Sequence, residues 1–330
     1  MRMKGKDTTW IMALVLGLLL PGVIFSVAEK LYAERHPEDT APTVQITESA
    51  DNDDTHNQVD TVIVLQEDGA VTAMEMDTYL TGVLLGEMPA DFENEALKAQ
   101  AVVARTYAKK RMLSASKHPQ GAVCKVASCC QAYCAPEEYL KKGGVQETIA
   151  KFRIAISATT GQVLLYQGQL IEATYFSCSG GKTEDALAVW GTQIPYLQAV
   201  DSPGEENATH YQDHIQLDVG EFIALLGIAP KGSPATWFGN VTYTSGGGVD
   251  TMVIAGKVFG GVELRQKLKL YSTAFSIVPT ENTIHIYTKG FGHRVGMSQY
   301  GADAMAVSGK DYRQILAHYY PGTEMSSYLD

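Results

Sequence analysis

Between residues 62 and 66, Val62, Val64 and Gln66 alternate with Ile63 and Leu65, a pattern that predicts a buried strand. "EDGA" reads as a turn and "VTAMEM" as a second short strand. The period then lengthens. "MDTYLTGVLLGEM" reads as a helix capped by Asp77 and stopped by Pro89. "ENEALKAQAVVARTYAKKRMLSA" reads as the longest helix, with Asn94 as its cap, acids in its first turn and Lys109, Lys110 and Arg111 near its end. Apolar or small residues stand at 96, 97, 99, 101 to 104, 107 and 108, nearly all round the helix, which predicts burial. Further on come another helix, the β-like runs "QVLLYQGQLIEATYFSC", "VDTMVIAGKVFGG" and "TIHIYTKG", and two terminal helices within "SQYGADAMAVSGKDYRQILAHYYPGTEM". Helices and strands mix without a regular βαβ rhythm, so the expected class is α+β.

The N-terminus differs in kind. "MRMKGK" is basic, and "WIMALVLGLLLPGVIFSVA", residues 10–28, offers roughly the ~20 apolar residues needed to cross a bilayer. Positive charge ahead of the span places residues 1–9 in the cytoplasm and the rest outside. A cleaved signal peptide with Ser26-Val27-Ala28 as its small-residue site is the alternative. Residues 29–58 are polar, acidic and aperiodic, a tether. Residues 59–330 are then an extracytoplasmic folded part, with a cysteine-rich insertion at about 115–136.

The chain has 330 residues and a formal charge of −11. Such acidity argues against a nucleic-acid partner, which would need a basic footprint.

Two local features point to chemistry. Glu87 ends an apolar run just before Met88-Pro89, so its carboxylate is expected at a helix break, in a crevice rather than on a packed face. Arg105 sits in a helix that is otherwise small and apolar, and breaking a buried ion pair costs ~3–5 kcal/mol. Glu87 is a plausible partner for it, or shares its cleft; a structural ion pair or a surface glutamate are the bland alternatives. The second feature is "CKVASCCQAYC", with Cys124, Cys129, Cys130 and Cys134 close together and His118 ahead. Four cysteines this crowded suit about four tetrahedral zinc ligands better than two disulfides, although an oxidising compartment permits either. His118, Cys124 and Cys130 fall at equal steps; Cys134 or Cys129 is the fourth ligand, with Cys134 favoured. An HEXXH motif is absent.

Three blocks resemble one family. "YLTGVLLGEMPADFENEALKAQAVVARTYA", "ATYFSCSGGKTEDALAVWG" and "GFGHRVGMSQYGADAMA" are similar, in order, to signatures of the stage II sporulation protein D and amidase-enhancer family. The resemblance runs from about residue 59 to the C-terminus and implies a lytic transglycosylase that cuts peptidoglycan glycan strands during engulfment. It implies Glu87 as catalytic acid and Arg105 as a cleft residue. Tyr175, Ser177, Ser179, Lys182, Thr183, His293 and Gln299 become the candidate substrate-binding residues. Ser298 is expected to cap the helix that begins at Gln299. Arg294 stands where the family usually has glycine, and Cys178 where it often has threonine; Cys178 is expected to be buried and inert. "CQAY" is similar to a family element near which some members hold a structural zinc. Glycan strands stripped of stem peptides are the implied partner, with stage II sporulation proteins P and M beside the chain in the mother-cell membrane, facing the intermembrane space. A non-catalytic glycan binder that activates an amidase, and a zinc hydrolase, are the competing readings.

Overall fold

The structure is a computed structural model that describes residues 60–114 and 117–328. The 10–28 apolar run and the tether lie outside those residues. Among the described residues no helix is long and apolar enough to cross a membrane.

The nine helices found among the described residues are α1 (Met76–Glu87), α2 (Asn94–Ser114), α3 (Pro136–Lys141), α4 (Gln146–Ser157), α5 (Ala186–Trp190), α6 (Val219–Leu226), α7 (Gly261–Lys267), α8 (Gln299–Val307) and α9 (Tyr312–Tyr319). Strands are interspersed among them in short sheets, so the class is α+β as expected. The predicted opening hairpin is present, Thr61–Leu65 pairing antiparallel with Val71–Glu75.

Helix α2 is the central rod. Its residues from Ala96 to Lys109 are almost all buried, as its ring of small side chains requires. One side packs with α1 and α4 around Tyr79, Leu80, Leu84, Leu97 and Phe152. The other packs with α8, α9 and the strand Gln162–Tyr166 around Val102, Val103, Leu164, Met297 and Tyr319. Residues 212–289 build a third core around Phe222, Phe259, Ile284 and Ile286, beneath two three-stranded antiparallel sheets.

Both expected caps lie inside their helices. Helix α1 starts at Met76 and its N-cap is Glu75, so Asp77 lies inside the first turn and faces Arg105 instead. Helix α2 starts at Asn94 itself. Ser298 does cap α8, its side chain accepting from the Gly301 N–H.

Candidate functional site

The site is built where the end of α1 meets the cysteine loop. Helix α1 stops because Met88, preceding Pro89, is driven to extended backbone, and its N–H closes the last turn on the Leu84 carbonyl. Glu87 is therefore the last helical residue. Gly82 and Gly86, four apart on one helix face, let residues 132–134 lie directly on α1. A Cβ on Gly82 would stand 2.2 Å from the Tyr133 ring, and one on Gly86 would stand 2.8 Å from the Tyr133 nitrogen. This close approach carries the Ala132 N–H to Glu87, where it donates to Oε1 at 2.6 Å.

A second strand pair completes the wall. Tyr175–Phe176 runs parallel to Met297–Ser298, which sets Tyr175 beside the start of α8. The Tyr175 hydroxyl donates to Glu87 Oε1 at 3.1 Å. Both bonds end on the same oxygen and leave Oε2 for a ligand. Gln299 lines the same cavity, and its buried Nε2 has no hydrogen-bond partner among the described residues. Burial raises the Glu87 pKa above the ordinary carboxylate value, while the Ala132 N–H, the Tyr175 hydroxyl and the nearby Gln299 amide pull it back.

These groups line a cavity of about 690 Å³. It is lined by Glu87, Tyr175, Ser177 and Gln299 and by the aromatic rings of Phe176, Trp190 and Phe291, with His293 in ring contact with Phe176 and Trp190. Among its lining residues Glu87 is the sole carboxylate; the cations Arg111 and Lys117 stand on the cysteine-loop side. His293 Nδ1 accepts from the Val295 N–H at 3.1 Å, so the proton of the neutral ring sits on Nε2. Burial pushes the His293 pKa down to about 4, helped by Arg265. The ring is thus a neutral donor rather than an acid at physiological pH.

The structure therefore gathers Glu87, Tyr175, Ser177, His293 and Gln299, and it leaves four expected ligands out. Arg105 is fully buried on the far side of α2. Its Nη1 donates to the Thr159 and Gln162 carbonyls and its Nη2 to the Ile156 carbonyl, with Asp77 3.6 Å away. It closes the C-terminal end of α4, where carbonyls lack helical partners. Ser179, Lys182 and Thr183 are absent from the cavity lining. Ser179 gives both its N–H and its hydroxyl to Glu205 Oε2, and the Thr183 hydroxyl donates to carbonyls of Gln198 and Val200. The backbone carbonyls of Ser179 and Lys182 accept from Arg294. The serine–glycine block is an internal polar girder because its hydroxyls are consumed by buried acceptors. Arg294 takes the left-handed backbone that glycine would favour, at φ 64°, and is held there by its bond to Glu184 and by three carbonyls, of Ser179, Lys182 and Gly246. Cys178 is fully buried and burial pushes its thiol up to about 11, in line with an inert role.

The five cysteines are free. His118, Cys124, Cys129 and Cys130 converge, their ligand atoms all within 4.8 Å of one another. Cys129 Sγ lies 3.3 Å from His118 Nε2. Cys129 replaces Cys134 in this group. Cys134 is pulled onto α1 by its N–H bond to the Gly82 carbonyl, and its thiol is packed in the first core. One nitrogen and three thiols at this spacing suit a tetrahedral zinc, whose ligand atoms stand about 3.5–4 Å apart. Cys129 and Cys130 also line the cavity.

Sequence reasoning missed Trp190, Phe291, Gln131 and the Ala132 N–H. Trp190 lies within the second quoted block, but its place in the cavity lining, against the His293 ring, depends on contacts across more than 100 positions.

Comparison with known proteins finds a family model described as Stage II sporulation protein that matches residues 66–166. Stage II sporulation protein D of Bacillus amyloliquefaciens is 36% identical over 321 residues, covering 94% of this chain and 93% of that one. Stage II sporulation protein D of Bacillus subtilis (strain 168) is 40% identical over 262 residues, covering 78% of this chain and 76% of that one. An amidase enhancer of Bacillus subtilis (strain 168) is 30% identical over 309 residues, covering 76% of this chain and 40% of that one.

Proposed function

Since the chain belongs to the stage II sporulation protein D family, we propose that it is a membrane-anchored lytic transglycosylase that cuts the glycan strands of peptidoglycan. The observation that carries this reading is that Glu87 is the single carboxylate among the described residues that line the cavity. Hydrolytic glycosidases commonly use two carboxylates, one on each side of the scissile bond. A lytic transglycosylase needs one, because the substrate supplies its own nucleophile.

Glu87 Oε2 gives its proton to the glycosidic oxygen as the bond from the anomeric carbon breaks. The C6 hydroxyl of the same N-acetylmuramic acid then bonds to that carbon and returns its proton to Glu87. The products are a 1,6-anhydro sugar and a new glycan end, and no water is consumed. Burial favours the neutral acid that the first step requires. Among the described residues no cation is bonded to Glu87, which serves the same end, since a salt bridge would hold the anion. Trp190, Phe176 and Phe291 offer flat apolar faces for the CH faces of sugar rings, and Gln299 Nε2 offers a donor for N-acetyl or hydroxyl oxygens.

His118, Cys124, Cys129 and Cys130 would hold a structural zinc. The ion would supply a cross-link that stiffens residues 118–130, next to the Ala132 N–H that holds Glu87. Residues 10–28 would anchor the chain with its folded part outside the cytoplasm, facing the intermembrane space, and stage II sporulation proteins P and M are its proposed partners at the mother-cell membrane.

The test is incubation with glycan strands stripped of stem peptides and mass spectrometry of the products. The wild-type chain releases anhydro-muramoyl ends and Glu87→Gln does not. Equal silence from both would favour a non-catalytic glycan binder, the reading that the amidase-enhancer relative suggests.

A further inference from the structure

Gln131 lies between the cavity-lining Cys130 and Ala132, and it is 1% exposed. Both ends of its side chain meet a tyrosine. The Tyr79 hydroxyl donates to Gln131 Oε1 at 3.0 Å. Gln131 Nε2 donates to the Tyr175 oxygen at 3.1 Å. Tyr175 in turn donates to Glu87 Oε1 at 3.1 Å.

An amide oxygen only accepts and an amide nitrogen only donates, and both tyrosines keep their protons at neutral pH. The chain Tyr79, Gln131, Tyr175, Glu87 therefore has one direction, with every proton pointing toward the carboxylate. A phenol hydroxyl on its own turns either way. With Gln131 Nε2 already filling the Tyr175 acceptor site, the Tyr175 proton has Glu87 as its place to go. Turning the amide over would reverse the sequence: Gln131 Oε1 would take the Tyr175 proton, and Glu87 would lose a donor.

The consequence falls on which oxygen of Glu87 carries the transferable proton. Oε1 already accepts from the Ala132 N–H at 2.6 Å and from Tyr175. A proton on Oε1 would face two donors at close range, which is repulsive. We propose that Gln131 is a positioning residue for Glu87, directing the Tyr175 hydroxyl onto Oε1 so that the acid carries its proton on Oε2. The proposal deepens the reading of Glu87 as the catalytic acid and rests on it.

The test uses the full chain and four proteins: wild type, Gln131→Met, Tyr175→Phe and the double variant. Two readouts are taken. One is the pH profile of glycan-strand cleavage. The other is the titration of the Glu87 side-chain carboxyl by carbon-13 NMR, assigned with Glu87→Gln, which needs no turnover. The expected result is that Gln131→Met and Tyr175→Phe each move the Glu87 midpoint to higher pH, because the anion loses a donor. The double variant titrates like Tyr175→Phe alone, since both changes remove one effect. Cleavage falls about tenfold at neutral pH and its alkaline limb moves the same way. A Gln131→Met midpoint equal to wild type, or shifts that add in the double variant, overturns the proposal. Should Gln131→Met fail to fold, an unmoved midpoint in Tyr175→Phe overturns it as well. A wild-type chain that makes no anhydro product removes the proposed reaction, while the Glu87 titration still decides the coupling.

Discussion

Glu87 and the pair Glu184 and Glu205 are all largely withdrawn from water, yet the protein treats them in opposite ways. Glu205 is saturated: Oε2 accepts from the Ser179 N–H, the Ser179 hydroxyl and the Gly180 N–H, and Oε1 from the Ser202 hydroxyl. Glu184 accepts from Arg294, the Thr244 hydroxyl and the Gly248 N–H, and so ties residues 244–248 of the third lobe to the main body. Glu87 has two neutral donors on one oxygen, no bonded cation among the described residues, and a cavity in front of it. A buried carboxylate given a cation, as Glu184 is, or donors on both oxygens, as Glu205 is, is a fastener. One given neither, beside an opening, is held ready to exchange a proton.

The sharpest way to break this contrast is to remove the carboxylates one at a time. Glu87→Gln preserves shape and should lower glycan cleavage by about 10³-fold or more, within the range general acid catalysis supplies. Its urea unfolding midpoint should not fall. Glu184→Ala should behave in reverse. It strands Arg294, which is 2% exposed, and should cost about 3–5 kcal/mol by denaturant unfolding. Cleavage per folded molecule should stay within a few-fold of wild type. A stable Glu184→Ala protein would remove the distinction between fastener and acid.

The same contrast explains what could be read from the sequence. The hairpin, the buried α2 and the placement of Glu87 at the α1 break follow from local patterns: period, a proline stop and a run of small residues. The roles of Arg105, Ser179, Lys182 and Thr183 do not. A polar side chain in a motif looks the same whether its partner is a ligand or a buried carbonyl, and those partners lie 15 to 57 positions away for Thr183 and Arg105. Arg105 was legible as a buried cation needing partners. That the partners were the carbonyls closing α4 was not, because the sequence does not say which helix end packs there. The cysteine cluster was legible in three of its four ligands. The choice of Cys129 over Cys134 turned on Gly82, whose missing side chain lets residues 132–134 press onto α1 and takes Cys134 with them.

That choice is the next prediction, with a smaller expected effect. Cys129→Ser should lower bound zinc well below one ion per chain, measured by metal analysis of the purified protein. Cleavage should fall about tenfold as the loop that carries Ala132 loosens, in keeping with the 10–100-fold losses typical of groups that support a site from behind. Cys134→Ser should keep its zinc. Equal zinc in both variants would return Cys134 to the ligand set.

The smallest effect is on stability, and its sign separates Glu87 from the fasteners. Burial raises the Glu87 pKa in the folded chain above its unfolded value. Below the unfolded value, about 4.3 for a free glutamate, both states carry the proton and pH has no leverage. As pH rises from there to the folded value, the unfolded chain gives up its proton first and the folded chain holds more protons, so stability falls with pH through this window. Above the folded value the loss is complete and constant, at about 1.4 kcal/mol for each unit of difference. Glu87→Gln, which cannot ionise, should therefore unfold at higher urea than wild type at pH 7, with the gap closing toward pH 4. A gap of the opposite sign would mean that donors around Glu87 outweigh its desolvation. Glu87 would then be one more anchored anion, and its claim to transfer a proton would fail on thermodynamics before any glycan was added.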